Sequence, residues 1–320
     1  MLLMAERLDG LVIKAQSGFF TVRTEAGDYV CQIPGRLKKE RQDSDLAAAG
    51  DRVTILVLTE NTGVIEAIAP RQRVLSRART MGRNVRDSLS DREQVLVANP
   101  DQVVLVFSIR QPAPSLRKLD RFLVVAERND LPAIICVTKT DLTSLQEAAG
   151  MFQLYETIGY TVLYTSVKTG VGLAALRDVL AGKISVLTGS SGVGKTSLLN
   201  ALQPGLGLQV RTVSQATEKG LHTTRYVELI PFAGGYVADT PGIRSLALYD
   251  IEADELDAYF REIAPLVAHC QFSNCTHEHE PGCAVRQAVT DGRVSAARYD
   301  SYLRLRKEQE TLDQAAYGLL

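Results

Sequence analysis

A glycine-rich segment in the middle of the chain has the spacing of a phosphate-binding loop. The segment is Gly189–Thr196, with the sequence Gly-Ser-Ser-Gly-Val-Gly-Lys-Thr, and it follows a strand-like run and precedes a helix-like run. Glycines let backbone N–H groups turn inward around a phosphate, and the N-terminus of the next helix adds a favourable dipole. Lys195 would contact the β- and γ-phosphates, and the hydroxyl of Thr196 would coordinate Mg²⁺. The segment therefore predicts binding of a nucleoside triphosphate.

Two further loops could select the base of that nucleotide. Thr138-Lys-Thr-Asp141 follows a buried strand and resembles the Asn-Lys-x-Asp loop that recognises guanine, although a surface loop is the more common explanation for such a tetrapeptide taken alone. The carboxylate of Asp141 would accept hydrogen bonds from guanine N1–H and from the exocyclic amine, and the stem of Lys139 would pack along the base. Thr165-Ser-Val-Lys168 follows the next strand, like the Ser-Ala-Lys loop that contacts the base through its backbone. Thr138 stands where Asn is usual, so weaker bracing of this loop is expected.

Two polar loops beyond the phosphate loop fit the switch regions of a GTPase. Gly220-Leu-His-Thr-Thr-Arg225 precedes a strand and fits the first switch, with Thr224, or else Thr223, as the threonine that coordinates Mg²⁺. Asp239-Thr-Pro-Gly242 follows a strand and fits the second switch. Its carboxylate would lie near Mg²⁺, and the N–H of Gly242 would detect the γ-phosphate.

The order of these loops along the chain is unusual. An ordinary GTPase has the phosphate loop, the two switches and then the guanine loops. Here both guanine loops precede the phosphate loop, and the second switch comes last. The same site can still assemble, because only the connections between strands are permuted. The second switch then leads directly into the C-terminal segment, so loss of the γ-phosphate could move that segment.

The side chain that would orient the attacking water is not the usual one. Ile243 stands where Ras-like proteins carry a glutamine, so unassisted hydrolysis is expected to be slow. His222 in the first switch is the nearest side chain that could orient water instead, although a histidine in a polar loop is more often a bystander.

A cluster near the C-terminus has the composition of a metal site. Three of the five cysteines lie within fourteen residues beside one histidine, in the set Cys270, Cys275, His277 and Cys283. Three thiolates and one imidazole suit tetrahedral Zn²⁺, and four protein ligands leave no open position for water, so the expected zinc is structural. His279 is the substitute if His277 faces away. The two remaining cysteines, Cys31 and Cys136, are expected in hydrophobic cores.

The patterns of strands and helices predict three parts and a linker. Residues 1–75 contain five short strand-like runs, as in an oligonucleotide-binding barrel, and a small sandwich would give the same pattern. Residues 76–98 form an Arg-rich linker; the stretch 71–86 carries six arginines and no acid, which suits a solvated connector or an arm that contacts nucleic-acid phosphates. Residues 99–248 alternate strands and helices, which predicts an α/β domain with a mostly parallel sheet. Residues 249–320 are mainly helical around the cysteines.

Composition excludes several classes of protein. Of 320 residues, 45% are hydrophobic and 23% are charged, as in ordinary globular chains. The net charge of −1 does not indicate a nucleic-acid partner, so any such partner would have to be bound by a local patch. No apolar run is long enough to span a membrane, and no signal peptide is recognised. The odd, clustered set of cysteines suits a reducing compartment, and a cytoplasmic protein is expected.

Taken together, these motifs resemble the circularly permuted bacterial GTPases of the RsgA (YjeQ) type. The resemblance covers nearly the whole chain and rests on the permuted order, Ser191-Gly-Val-Gly-Lys-Thr-Ser-Leu-Leu-Asn200, Gly220-Leu-His-Thr-Thr224 and the Cys270–Cys283 knuckle. It implies a barrel, a GTPase domain and a zinc domain that bind the small ribosomal subunit and its rRNA. It also implies GTP hydrolysis stimulated by that subunit, a role in late subunit maturation, and a catalytic His222. Thr138, Leu221 and Arg225 depart from the family pattern, and Thr196 replaces an equivalent Ser.

The expected contacts can be stated residue by residue. The expected catalytic residues are His222 and Lys195. The residues expected to bind GTP or GDP are Thr138, Lys139, Asp141, Ser166, Val167, Lys168, Gly189, Ser190, Ser191, Gly192, Val193, Gly194, Lys195, Thr196, Ser197, Thr223, Thr224, Asp239 and Gly242. Mg²⁺ is assigned to Thr196 and Thr224. A monomer is expected. Two alternatives stay open: an RNA-binding protein that uses GTP as a passive conformational latch, and a permuted GTPase with a non-ribosomal client.

Overall fold

The computed structural model describes residues 6–35, 47–78, 93–206, 227–239 and 251–316. These residues form an N-terminal barrel, a central sheet covered by helices, and a mainly helical C-terminal part. Within these ranges no helix has both the length and the apolar character that crossing a lipid bilayer requires.

Five short strands at the N-terminus close into a barrel. They are β1 (Arg7–Gln16), β2 (Phe19–Thr24), β3 (Gly27–Gln32), β4 (Arg52–Thr59) and β5 (Thr62–Ile68). Their order around the barrel is β1-β2-β3-β5-β4, with β3 and β5 parallel. Alternate side chains point inward, and Val12, Val22 and Ile55 are fully buried. The structure therefore confirms a barrel of the oligonucleotide-binding type rather than a sandwich.

Both ends of the expected linker form β-strands. Whereas the sequence predicts a linker over residues 76–98, β6 (Val74–Ala78) and β7 (Glu93–Ala98) form a two-stranded antiparallel sheet. The reason is burial, because Leu75 and Val97 pack into the core cluster that contains the central sheet. Residues 79–92, which include part of the Arg-rich stretch, lie outside the described residues.

A six-stranded sheet forms the centre of the molecule. Its elements are β8 (Gln102–Ser108), α1 (Leu116–Arg128), β9 (Ala133–Thr138), α2 (Leu145–Thr157), β10 (Thr161–Tyr164), α3 (Leu173–Leu180), β11 (Ile184–Thr188), α4 (Lys195–Leu202), β12 (Leu229–Phe232) and β13 (Gly235–Asp239). The order is β10-β9-β8-β11-β13-β12, and only the edge pair β12–β13 is antiparallel. Every residue of β8, β9 and β11 is buried, as expected for parallel strands covered on both faces. The loops that follow these strands consequently meet at one edge of the sheet.

The C-terminal part packs against the helices of the sheet. It contains a 3₁₀ helix (Ala253–Tyr259), α5 (Ala264–Val267), α6 (Ala284–Thr290) and α7 (Ala296–Ala316). Arg298 on α7 is 1% exposed and donates hydrogen bonds to Asp120 on α1 and to Glu262. The carboxylate of Asp120 also accepts from Tyr155 and from Ser301. A buried polar network therefore connects the helical part to α1 and α2.

Candidate functional site

The glycine-rich loop lies between β11 and α4, as its sequence predicts. Gly189 has φ 156°, and a Cβ on it would lie 2.2 Å from the carbonyl oxygen of Val106 on the neighbouring strand. Gly194 has φ 99° and directly precedes α4, so it occupies a backbone conformation that favours glycine. The loop therefore passes closely over the end of β8 and turns its backbone towards the helix N-terminus.

Lys195, Thr196 and Ser197 form the first turn of α4, directly after this loop. The ammonium of Lys195 lies 2.7 Å from the carbonyl oxygen of Gly189 and 3.4 Å from that of Ser190. The cation is thus held over the loop whose N–H groups would surround a phosphate, where a positive charge favours an anion.

The loop after β9 is bonded directly to the phosphate loop. The hydroxyl of Thr138 donates to the carbonyl oxygen of Val193 across 2.5 Å, and the ammonium of Lys139 donates to Gly192 O across 2.8 Å. Burial lowers the pKa of Lys139 more than the nearby Asp141 raises it. Thr138, which replaces the usual Asn, therefore still supplies a side-chain bond between the two loops. The sequence did not predict this contact.

The two loops proposed to recognise guanine lie side by side. Ser166 donates from its hydroxyl to Oδ1 of Asp141 across 2.6 Å. The backbone N–H and the hydroxyl of Thr140 both donate to the carbonyl oxygen of Thr165, across 3.2 Å and 3.1 Å. The carboxylate of Asp141 is therefore oriented by the loop that follows β10, while Val167 and Lys168 in that loop are exposed. This arrangement could hold a planar base between the two loops.

The residues expected in the switches lie largely outside the described part of the chain. His222, Thr223, Thr224 and Gly242 are all outside it. Asp239 ends β13, and its backbone is paired with Leu187 of β11, two residues before the phosphate loop. Its side chain is not described.

A second cluster brings together Cys270, Cys275, His277 and Cys283, whose donor atoms all lie within 4.8 Å of one another. Nδ1 of His277 is 3.4 Å from Sγ of Cys283 and 3.6 Å from Sγ of Cys270. The two sulfurs are 4.0 Å apart. Tetrahedral coordination of Zn²⁺ requires about 3.8 Å between sulfurs and about 3.5 Å between sulfur and nitrogen. The spacing of these donors therefore suits a tetrahedral metal ion.

The surroundings of the cluster shift the pKa values of its cysteines in opposite directions. Burial raises the pKa of Cys275 to about 12. Burial would also raise the pKa of Cys283, but the hydrogen bond from the backbone N–H of Arg286 and the contacts with His277 and Cys275 outweigh it and lower that pKa. Nε2 of His277 lies 3.1 Å from a carboxylate oxygen of Asp257, a contact that no local sequence signal indicates. His279 is exposed and stands apart from the cluster. Cys31 and Cys136 are buried in the barrel and the sheet, as expected.

Comparison with known proteins identifies relatives over nearly the full length. The model of the RsgA GTPase family matches residues 68–249, and that of the RsgA N-terminal domain matches residues 9–65. The small ribosomal subunit biogenesis GTPase RsgA of Gemmatimonas aurantiaca is 45% identical, covering 95% of this chain and 98% of that protein. The protein of the same name from Moorella thermoacetica is 41% identical, covering 92% and 95%. The crystal structure of YjeQ from Thermotoga maritima has a TM-score of 0.77 at 35% identity, covering 95% of this chain and 99% of that one.

Proposed function

Because the chain belongs to the RsgA family of GTPases, we propose that it binds the small ribosomal subunit and acts in the late maturation of that particle. As a member of this family the chain is a GTPase. The client is inferred from relatives that are named small ribosomal subunit biogenesis GTPases. The observation that carries the nucleotide site is the junction of the loops that follow β9, β10 and β11, fixed by the Thr138–Val193 and Ser166–Asp141 bonds. Such a junction supports one site at which a guanine base and a triphosphate are held together.

The described loops support specific contacts to the nucleotide. The N–H groups of residues 190–195 surround the β-phosphate, and Lys195 exchanges its bond to Gly189 for the β- and γ-phosphates. Asp141 accepts hydrogen bonds from the guanine N1–H and amine. The backbone of Ser166–Lys168 contacts the same base, and the stem of Lys139 packs along its face. The Ser166 bond to Asp141 supports this assignment, since it orients the carboxylate before any base arrives.

Hydrolysis transfers the γ-phosphoryl group to water, yielding GDP and inorganic phosphate. His222 orients the water that attacks phosphorus, and Lys195 together with the loop N–H groups stabilises the negative charge that develops on the phosphate oxygens. Thr196 and Thr224 coordinate Mg²⁺, which when bound neutralises phosphate charge. The carboxylate of Asp239 would lie near this Mg²⁺, and the N–H of Gly242 detects the γ-phosphate. Because residue 243 is isoleucine and not glutamine, the rate of hydrolysis depends on a partner that holds the side chain of His222 in place.

The second cluster holds one structural Zn²⁺ through Cys270, Cys275, His277 and Cys283. The tetrahedral spacing of the donors supports this assignment. Four protein ligands complete the coordination of the ion, so it stabilises the C-terminal part and takes no part in hydrolysis.

We assign ribosomal RNA binding to the barrel in residues 1–75 and to the zinc-binding part in residues 249–320, on either side of the GTPase domain in residues 99–248. The closed barrel supports this, because proteins of that architecture bind oligonucleotides. The second switch leads directly into the zinc-binding part, so the bound nucleotide would control how the two RNA-binding parts engage the subunit. The chain acts as a monomer in the cytoplasm, where its proposed client is assembled.

Co-sedimentation with purified small ribosomal subunits tests this function. The chain is incubated with a non-hydrolysable GTP analogue, with GDP or without nucleotide, and large subunits serve as the control particle. The proposal predicts that the chain pellets with small subunits only, and to an extent that depends on the nucleotide. If it pellets with neither particle in any state, the ribosomal client is wrong and another client must be sought.

A further inference from the structure

Asp257 lies beside the proposed metal site without belonging to its four ligands. It is carried by the 3₁₀ helix Ala253–Tyr259, and its Oδ2 is 3.1 Å from Nε2 of His277. The other ring nitrogen of His277, Nδ1, faces the sulfurs of Cys270 and Cys283. The imidazole is fully buried, so each of its nitrogens has a distinct partner, thiols on one side and a carboxylate on the other.

This arrangement determines which nitrogen of the ring can bind a metal. A neutral imidazole that coordinates through Nδ1 must carry its hydrogen on Nε2, and a carboxylate in contact with Nε2 accepts that hydrogen. A carboxylate behind a metal-bound histidine fixes the tautomer and the ring orientation and makes the ligand nitrogen more basic. We propose that Asp257 is a positioning residue that holds His277 in its zinc-binding tautomer. The inference rests on the proposed zinc site.

The backbone of His277 adopts an unfavourable conformation and is held by two other side chains. Its φ of 65° lies in the left-handed region, which is unfavourable for a residue with a Cβ. Two tyrosines of α7 hold this backbone, since Tyr302 donates to the carbonyl oxygen of Thr276 across 3.1 Å and Tyr299 donates to that of His277 across 2.5 Å. The tyrosines thus fix the backbone of the ligand, and Asp257 is left to fix its ring.

The element that carries Asp257 is itself anchored to α7. Arg306 donates to the carbonyl oxygen of Ala253 and to the carboxylate of Asp254, each across 2.7 Å. Gln309 donates to the carbonyl oxygen of Ile251 across 2.5 Å. The carboxylate of Asp257 is therefore presented to His277 from a fixed backbone, as a positioning residue requires.

Zinc affinity measured by competition with a chromophoric chelator tests the proposal. Asp257→Ala in the full chain is expected to raise the Kd for zinc roughly 10- to 100-fold, and Asp257→Asn to raise it less, because its amide oxygen can still accept a hydrogen bond. Glu255→Ala is the matched control. It removes an exposed carboxylate from the same 3₁₀ helix, and that carboxylate accepts a hydrogen bond from Tyr259 of this helix and plays no part in the anchoring described above. Equal zinc affinity in wild type and Asp257→Ala, or an equal loss in the control, would overturn the proposal.

A second measurement needs no variant that must fold. In the zinc-loaded wild-type chain, with ¹⁵N-labelled histidine, long-range ¹H–¹⁵N correlation spectra are expected to show hydrogen on Nε2 of His277 and metal on Nδ1. Metal on Nε2 would refute a role for Asp257 while leaving the zinc site intact. If the wild-type chain takes up no zinc, the zinc site itself is wrong and this inference falls with it.

Discussion

Replacing Thr138 with valine tests whether its hydroxyl joins the guanine loop to the phosphate loop. Thr138 is 3% exposed, and its Oγ1 is 2.5 Å from the carbonyl oxygen of Val193, itself a buried residue. Valine preserves the shape of the side chain but cannot donate, so this bond is lost. Leaving one buried partner unsatisfied costs about 1–3 kcal/mol. If the whole cost falls on the nucleotide-binding conformation, the Kd for GTP rises roughly 5- to 150-fold at 25 °C.

Titration with a fluorescent guanine nucleotide measures this change, and thermal melting shows any accompanying loss of stability. Thr188→Val is the matched control, because Thr188 is 1% exposed directly before the same loop. Among the described residues its hydroxyl has no hydrogen-bond partner. The control is expected to change the free energy of binding by less than about 0.5 kcal/mol. Wild-type affinity in Thr138→Val, or the same loss in both variants, would refute the role given to the hydroxyl.

Three further substitutions test other parts of the account. Asp141→Asn is expected to weaken GTP binding about 100-fold or more. In competition assays the variant should bind xanthosine triphosphate better than the wild type does, because the asparagine amide can donate to the 2-oxo group of xanthine. Unchanged preference for GTP would contradict the guanine assignment. Arg298→Met leaves two buried carboxylates without their cation and should lower the free energy of unfolding in urea by about 3–5 kcal/mol. Arg304→Met is the control: it removes an exposed arginine and should lower the free energy of unfolding by less than about 1 kcal/mol. Similar losses in both variants would argue against the buried network. Cys283→Ser should reduce the zinc content measured by elemental analysis, whereas Cys31→Ser should retain it; full zinc in the first variant would exclude Cys283 as a ligand.

Signals that span a few neighbouring residues predicted most of the fold. Alternating apolar residues marked the barrel strands, and the glycine spacing of Gly189–Thr196 marked the turn between β11 and α4. The Cys270–Cys283 spacing likewise predicted a cluster that the structure brings together. These features depend on local geometry, which the sequence pattern expresses directly.

Contacts between distant segments could not be predicted in the same way. The Thr138–Val193 bond joins residues 55 positions apart, and the Asp257–His277 contact joins residues 20 positions apart. Pairing of β6 with β7 depends on burial of Leu75 and Val97 by the central core, so the local pattern there indicated only a linker. The roles given to the switch residues stay predictions, because those residues lie outside the described part of the chain.

The rate of GTP hydrolysis, measured with and without purified small ribosomal subunits, tests the central claim most directly. ATP serves as the base control and His222→Ala as the control for the orientation of water. The account predicts slow hydrolysis by the chain alone, a large GTP-selective stimulation by the subunit, and loss of that stimulation in His222→Ala. No stimulation, with GTP-dependent binding to the subunit intact, would contradict it and indicate that the nucleotide is a passive latch.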